Sequence, residues 1–150
     1  MKGNYKEAAA AIEDLKAGNV RGIELAIRFL KSDVYEFRSG YLKEYLWRYL
    51  SRVSLTERQK ERLQAVARKY LERQIGREFW QMCRLMSQIA DPEFTEYVAN
   101  LVESAKHDEM RQRAALLAAY LLGVEEGERA RRRFNRRVRY GQEQVTPDEA

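Results

Sequence analysis

Apolar side chains recur at three- and four-residue intervals along most of the chain, and punctuation between the runs divides it into helices. Ala8, Ile12 and Leu15 open the pattern between Asn4 and Ala17, and Gly18 follows where a helix end favours a residue tolerant of positive φ. Asn19 is placed to cap a second helix whose stripe is Ile23, Ala26, Ile27 and Leu30. After a break at Ser32-Asp33, a third run carries Tyr41, Leu42, Tyr45, Leu46, Tyr49 and Leu50. Ser54-Leu55-Thr56-Glu57 has capping-box spacing and predicts a fourth helix from Ser54, with Leu63, Val66, Tyr70 and Leu71 on its buried face. Gly76 interrupts that helix, and REFWQMCRLMSQI predicts a fifth with Trp80, Cys83, Met86 and Ile89. Asp91-Pro92 is a strong restart, because aspartate caps free amides and proline at the first helical position loses no hydrogen bond. Phe94, Tyr97, Val98, Leu101 and Val102 form the sixth stripe; Asp108 is expected to cap the seventh helix and Gly123 to end it. No stretch alternates with period two, so the expected class is all-α.

Composition narrows this further. The chain has 150 residues, 34% of them charged, and only two prolines, which suits one soluble helical domain able to bury a core. No apolar run approaches the roughly eighteen residues of a membrane span, and MKGNYKEAAAAIEDL lacks a signal-peptide core, so no membrane partner and a cytoplasmic location are expected. The lone Cys83 has no internal disulfide partner. The net charge of +5 is local: RARRRFNRRVR at 129–139 holds seven arginines and no acid, which leaves the rest of the chain at −2.

Three segments align from Arg38, Arg77 and Arg111. Positions three on (Tyr41, Trp80, Ala114), eight on (Leu46, Leu85, Ala119) and nine on (Trp47, Met86, Tyr120) are apolar in each. The separations are 39 and 34 residues, and an amphipathic helix precedes each segment, a period shown by stacked helix pairs. The stretch DPEFTEYVANLVESAKHDEMRQRAALLAAYLLG, residues 91–123, resembles a HEAT-like repeat of the armadillo type. It has a helix opened by Asp91-Pro92, an acidic turn at Asp108, Arg111 just beyond, and an alanine-leucine helix closed by Gly123. Residues 74–90 match less closely, and in 19–50 only Asp33 and Arg38 match in the turn. Arg77 has no acid in its own turn, so an inter-helix Asp–Arg ladder is expected to break there. The resemblance implies a right-handed solenoid of about three helix pairs with capping helices at both ends, as one domain over 1–140 that includes a basic helix near 128–140. A polar, frayed tail is expected over 141–150.

Chemistry-bearing residues are sparse. His107 stands alone in a predicted turn, Cys83 lies on an apolar face between Trp80 and Met86, and Glu125, Glu126 and Glu128 read as a solvated acidic cluster. One histidine and one cysteine make no zinc site, and no phosphate-cradling glycine motif occurs. No catalytic residue, metal or cofactor is expected. Aromatics crowd Tyr35, Phe37, Tyr41, Tyr45, Trp47 and Tyr49; Tyr41 and Tyr45 share a face, and Tyr35, Phe37 and Trp47 are candidates for a contact surface. In ERARRRFNRRVRY, Ala130, Phe134 and Val138 predict a narrow apolar stripe that would hold Arg129, Arg131, Arg132, Arg133, Arg136, Arg137 and Arg139 outward. Such a helix suits a solvated cap of the stack, the phosphates of a nucleic acid, or an acidic protein.

Two functions follow. The first is a non-catalytic protein-protein interaction scaffold or adaptor, with another protein as partner. The second is a nucleic-acid-binding protein that uses the arginine helix; the resemblance extends this to the HEAT-like DNA glycosylases, although this chain is net acidic outside its last segment and short for that fold. A short stack also exposes apolar ends, which makes a homodimer an expectation.

Overall fold

The computed structural model describes residues 2–32 and 39–144, with side chains described over 5–32 and 40–139. Those residues form eight helices and no strand: α1 Lys2–Lys16, α2 Arg21–Ser32, α3 Ser39–Leu50, α4 Glu57–Tyr70, α5 Phe79–Ile89, α6 Pro92–Ser104, α7 Asp108–Leu122 and α8 Val124–Gln144. Asp33, Tyr35, Phe37 and Arg38, with the expectations placed on them, lie outside the described residues.

The helix ends follow local chemistry. Gly18 takes φ +76° and closes α1, and Asn19 Oδ1 accepts the Arg21 N–H at 3.1 Å to open α2. Asp91 accepts the Phe94 N–H at 2.7 Å with Pro92 at the first helical position, and Gly123 at φ +155° separates α7 from α8. Two expectations shift. The capping box of α4 belongs to Thr56 and Gln59, whose side chains reach each other's backbone, and starts two residues later than Ser54. Asp108 is the first residue of α7 and pairs with Arg111, while His107 holds the cap position without a side-chain bond.

The contacts arrange six helices in two rows. α1 packs on α3 and α3 on α5, while α2 packs on α4 and α4 reaches α6 through side chains. Within each row the helices run the same way. Lys16 at the end of α1 lies over Tyr49 at the end of α3, and Arg77 just before α5 meets Glu44 in the first half of α3. In the other row Glu24 near the start of α2 binds Gln59 and Arg62 near the start of α4, and Gln64 and Arg68 of α4 meet Asp91, which caps α6, and Tyr97 within it. α7 packs on α5, α6 and α8.

Between the rows lies one apolar core that includes Phe29, Leu46, Trp47, Leu63, Tyr70, Phe79, Met82 and Met86. Trp47 is fully buried, its ring edge-on to Tyr70 at 5.8 Å and its Nε1–H donating to the Tyr70 hydroxyl at 3.2 Å. It is therefore a core residue and not a contact aromatic: Lys43, Leu46, Trp47 and Leu50 make the inner face of α3 and turn Tyr41 and Tyr45 outward. The aligned positions of the three segments divide accordingly. Trp47, Met86 and Tyr120 are all buried, whereas Tyr41 is 45% exposed where Trp80 and Ala114 are buried.

Candidate functional site

Among the described residues, α8 is held to the domain by its first half. Gly127 lies on the ring of buried Tyr120, so α8 crosses α7 closely enough that a Cβ there would stand 2.5 Å from Tyr120 Cδ2 and nearer still to Cγ and Cδ1. Glu128 accepts from Arg84 of α5, Ala130 is buried, and Phe134 packs on Trp80 with ring centroids 5.7 Å apart. Residue 128 beside 84 and residue 134 beside 80 make α8 antiparallel to α5. The expected apolar stripe is thus confirmed at Ala130 and Phe134 but ends there, since Val138 is 45% exposed.

The seven arginines do not behave alike. Arg129 is occupied by Glu126 at 2.6 Å and Glu125 at 3.0 Å, and Arg131 lies 5.0 Å over the Trp80 ring. The acidic cluster expected to be merely solvated consequently has partners: Glu125 and Glu126 neutralise Arg129, and Glu128 ties α8 to α5. Arg132, Arg133, Arg136, Arg137 and Arg139 are exposed and have no ion-pair partner among the described residues. On a wheel of 100° per residue these five cover an arc of about 160°, and they occupy roughly 10 Å of helix axis. The density is about one cation per 2 Å, close to the one phosphate charge per roughly 1.7 Å of a duplex.

A second exposed surface lies on α3. Tyr41 is 45% and Tyr45 41% exposed, the two exposed large aromatics among the described residues. Each sits against a guanidinium: Arg77 is 3.8 Å over Tyr41 and Arg48 5.5 Å from the Tyr45 ring, while Arg52 and Lys16 flank half-buried Tyr49 at 5.1 and 5.7 Å. Glu44 receives both Arg77 and Arg48, so the carboxylate missing from the turn of Arg77 comes from the preceding helix of the same row. Reading along the sequence had paired Tyr41 with Tyr45 by their spacing but gave no sign that Arg77, over thirty residues away, covers one of them.

Glu78, Lys43 and Arg73 form a buried charge cluster in which Arg73 lies 3.6 Å from Glu78 and 3.9 Å over the Tyr70 ring. Burial lowers the Lys43 and Arg73 pKa values and the Glu78 charge opposes that shift in both. Burial pushes the Cys83 thiol well above its ordinary value, as it does the Tyr120 hydroxyl, which is also raised by nearby Glu128 and makes no hydrogen bond. Both groups are therefore neutral at physiological pH, and a neutral thiol is a poor nucleophile. Among the described residues no group of three or more His, Cys, Asp or Glu is placed to hold a metal ion, and no helix is long and apolar enough to cross a membrane.

Comparison of the chain with protein-family models, with curated proteins and with solved structures finds no match.

Proposed function

We propose that the protein is a non-catalytic nucleic-acid-binding module in which a short HEAT-like helix stack carries a backbone-binding helix, α8. The observation behind this reading is the division of labour along α8. Its first half spends its side chains on docking, through Gly127, Glu128, Ala130 and Phe134, and its second half presents five arginines with no ion-pair partner among the described residues. Guanidinium groups match phosphate oxygens in charge and geometry, so an anionic polymer is the natural ligand of such an arc. Asn135, exposed beside Arg132, Arg136 and Arg139, is an amide able to meet a base edge, but the arginines outnumber it, so binding is set mainly by the backbone and carries little sequence preference. The rows α1-α3-α5 and α2-α4-α6, the second linked at α4–α6 through Arg68–Tyr97 and Gln64–Asp91, support the solenoid reading, with α8 as its terminal cap.

The test is fluorescence anisotropy of a labelled 20-nucleotide probe with the wild type and with a variant carrying Ala at 132, 133, 136, 137 and 139. Loss of more than about tenfold in affinity supports the site, since each exposed phosphate contact contributes measurably at moderate salt. Undiminished binding by the variant refutes it.

A protein-interaction scaffold is the second reading. It is favoured by Leu122, 82% exposed, with Val124 also exposed across Gly123. Cross-linking at residue 122 that captures a partner insensitive to the arginine substitutions would select it.

A further inference from the structure

We infer that the nucleic acid held by α8 is single-stranded, and that Tyr41 and Tyr45 of α3 are the rings on which its bases stack. This rests on the reading of α8 above and adds a second element to it. Positions 41, 45 and 48 lie within about 60° on the outer face of α3, so Tyr41, Tyr45 and Arg48 form one strip of rings and a guanidinium, and Arg52, just past the end of α3, lies over the neighbouring Tyr49 ring. The strip keeps a surplus of positive charge: Arg48, Arg52, Arg77 and Lys16 surround it, against Glu44, which pairs with Arg48 and Arg77, and Glu13, which pairs with Lys16.

The strip also connects with α8. α5 lies between α3 and α8, and its N-terminal end holds an aromatic–arginine pair toward each neighbour: Arg77 over Tyr41 on one side, Trp80 under Arg131 on the other. Residues 77 and 80 are about one helical turn apart, so both pairs stand at the same end of α5. From there α8 continues past Phe134 to Arg136, Arg137 and Arg139. A strand whose phosphates follow those arginines meets the tyrosines across the end of α5.

Chemistry then distinguishes the two forms of nucleic acid. A single strand offers base faces to exposed rings while arginines take its phosphates, the combination used by sequence-tolerant single-strand binders. In a duplex the bases stack on one another and have no face to give Tyr41 or Tyr45. Stacking on an aromatic ring changes single-strand affinity roughly 5- to 150-fold per base, whereas the arginines serve either form.

The experiment measures anisotropy of a labelled 20-nucleotide oligo-dT and of a 20-base-pair duplex at one salt concentration. It compares the full chain with the Tyr41→Ala/Tyr45→Ala pair, the Tyr41→Phe/Tyr45→Phe pair and the five-alanine variant of α8. The expected result is that the alanine pair weakens oligo-dT at least about fivefold and leaves the duplex unchanged, while the phenylalanine pair, which keeps the rings, binds oligo-dT like the wild type. Circular dichroism of each variant separates lost binding from lost folding, and the phenylalanine pair carries the test if the alanine pair unfolds. Equal effects on both probes, no effect on oligo-dT, or loss in the phenylalanine pair overturns the inference while leaving the α8 reading in place. Competition by polyglutamate as strong as by oligo-dT overturns it in favour of an acidic protein. Full binding by the five-alanine variant overturns the α8 reading itself.

Discussion

Gly127→Ala should loosen the attachment of α8, although alanine is the better helix former. Two effects oppose each other at this position. A helix-interior alanine gains about 1 kcal/mol over glycine. Against it, the new Cβ would lie 2.5 Å or less from three atoms of the Tyr120 ring, where non-bonded carbons prefer about 3.5–4.0 Å. The ring is fully buried and cannot swing into solvent, so about 1 Å must be found by moving α8 off α7. Overpacking of that kind costs about 1–3 kcal/mol. With the tight end of that range expected for a ring, the net loss is about 1–2 kcal/mol, or a fall of roughly 2–8 °C in Tm for a domain of this length. Urea unfolding followed by circular dichroism measures it, and a double-mutant cycle with Tyr120→Leu identifies the cause. A smaller residue at 120 makes room for the Cβ, so the two substitutions should couple by more than about 1 kcal/mol. Stabilisation by Gly127→Ala alone, with additive behaviour in the cycle, would show that α8 does not cross α7 at this ring.

Four further outcomes follow from the buried groups. Glu78→Gln removes the carboxylate that faces Lys43 and Arg73, and unfolding should register a loss of about 3 kcal/mol from the uncompensated buried charge; a loss under about 1 kcal/mol contradicts the cluster. Tyr120→Phe deletes a buried hydroxyl that has no partner and should stabilise the protein by about 1 kcal/mol at pH 7. The pH dependence has a definite sign. The folded state holds the Tyr120 proton above pH 10.0, the ordinary value, where the unfolded chain releases it, so wild-type stability falls relative to Tyr120→Phe as pH rises beyond that point. A variant that tracks the wild type through pH 11 contradicts this. Finally, Cys83 should react with a thiol reagent at pH 8 only at the rate of unfolding, because it is both buried and neutral; rapid stoichiometric labelling of the native protein would contradict its burial.

What the sequence disclosed was local, and what it concealed was long-range. Asp91-Pro92, Gly18 and Gly123 mark helix ends because capping and positive φ are properties of a few neighbouring residues. The capping box of α4 was misplaced by two because Ser54–Glu57 and Thr56–Gln59 have the same spacing, and only the extended conformation of Thr56 decides between them. On α3, tyrosine, leucine and tryptophan occur all round the helix, so spacing could not reveal that Trp47 faces inward with Lys43 beside it. That orientation is set by Tyr70, twenty-three residues later, and by Glu78. The arginine segment was legible as a cluster, yet its division into docked and exposed halves depends on Trp80 and on acids of its own first turns. Tyr35 and Phe37 lie outside the described residues and add nothing to the surface argued for α3.

The measurement that bears most directly on the account is the salt dependence of oligo-dT affinity, taken from 50 to 200 mM. Five phosphate contacts on a single strand give a slope of log K against log salt of about −3.5, so affinity should drop roughly 100-fold over that range, and the slope should become much shallower in the five-alanine variant, where only the cations around Tyr41 and Tyr45 remain. A wild-type slope near zero, or one the variant shares, would contradict the assignment of the α8 arginines to a nucleic-acid backbone.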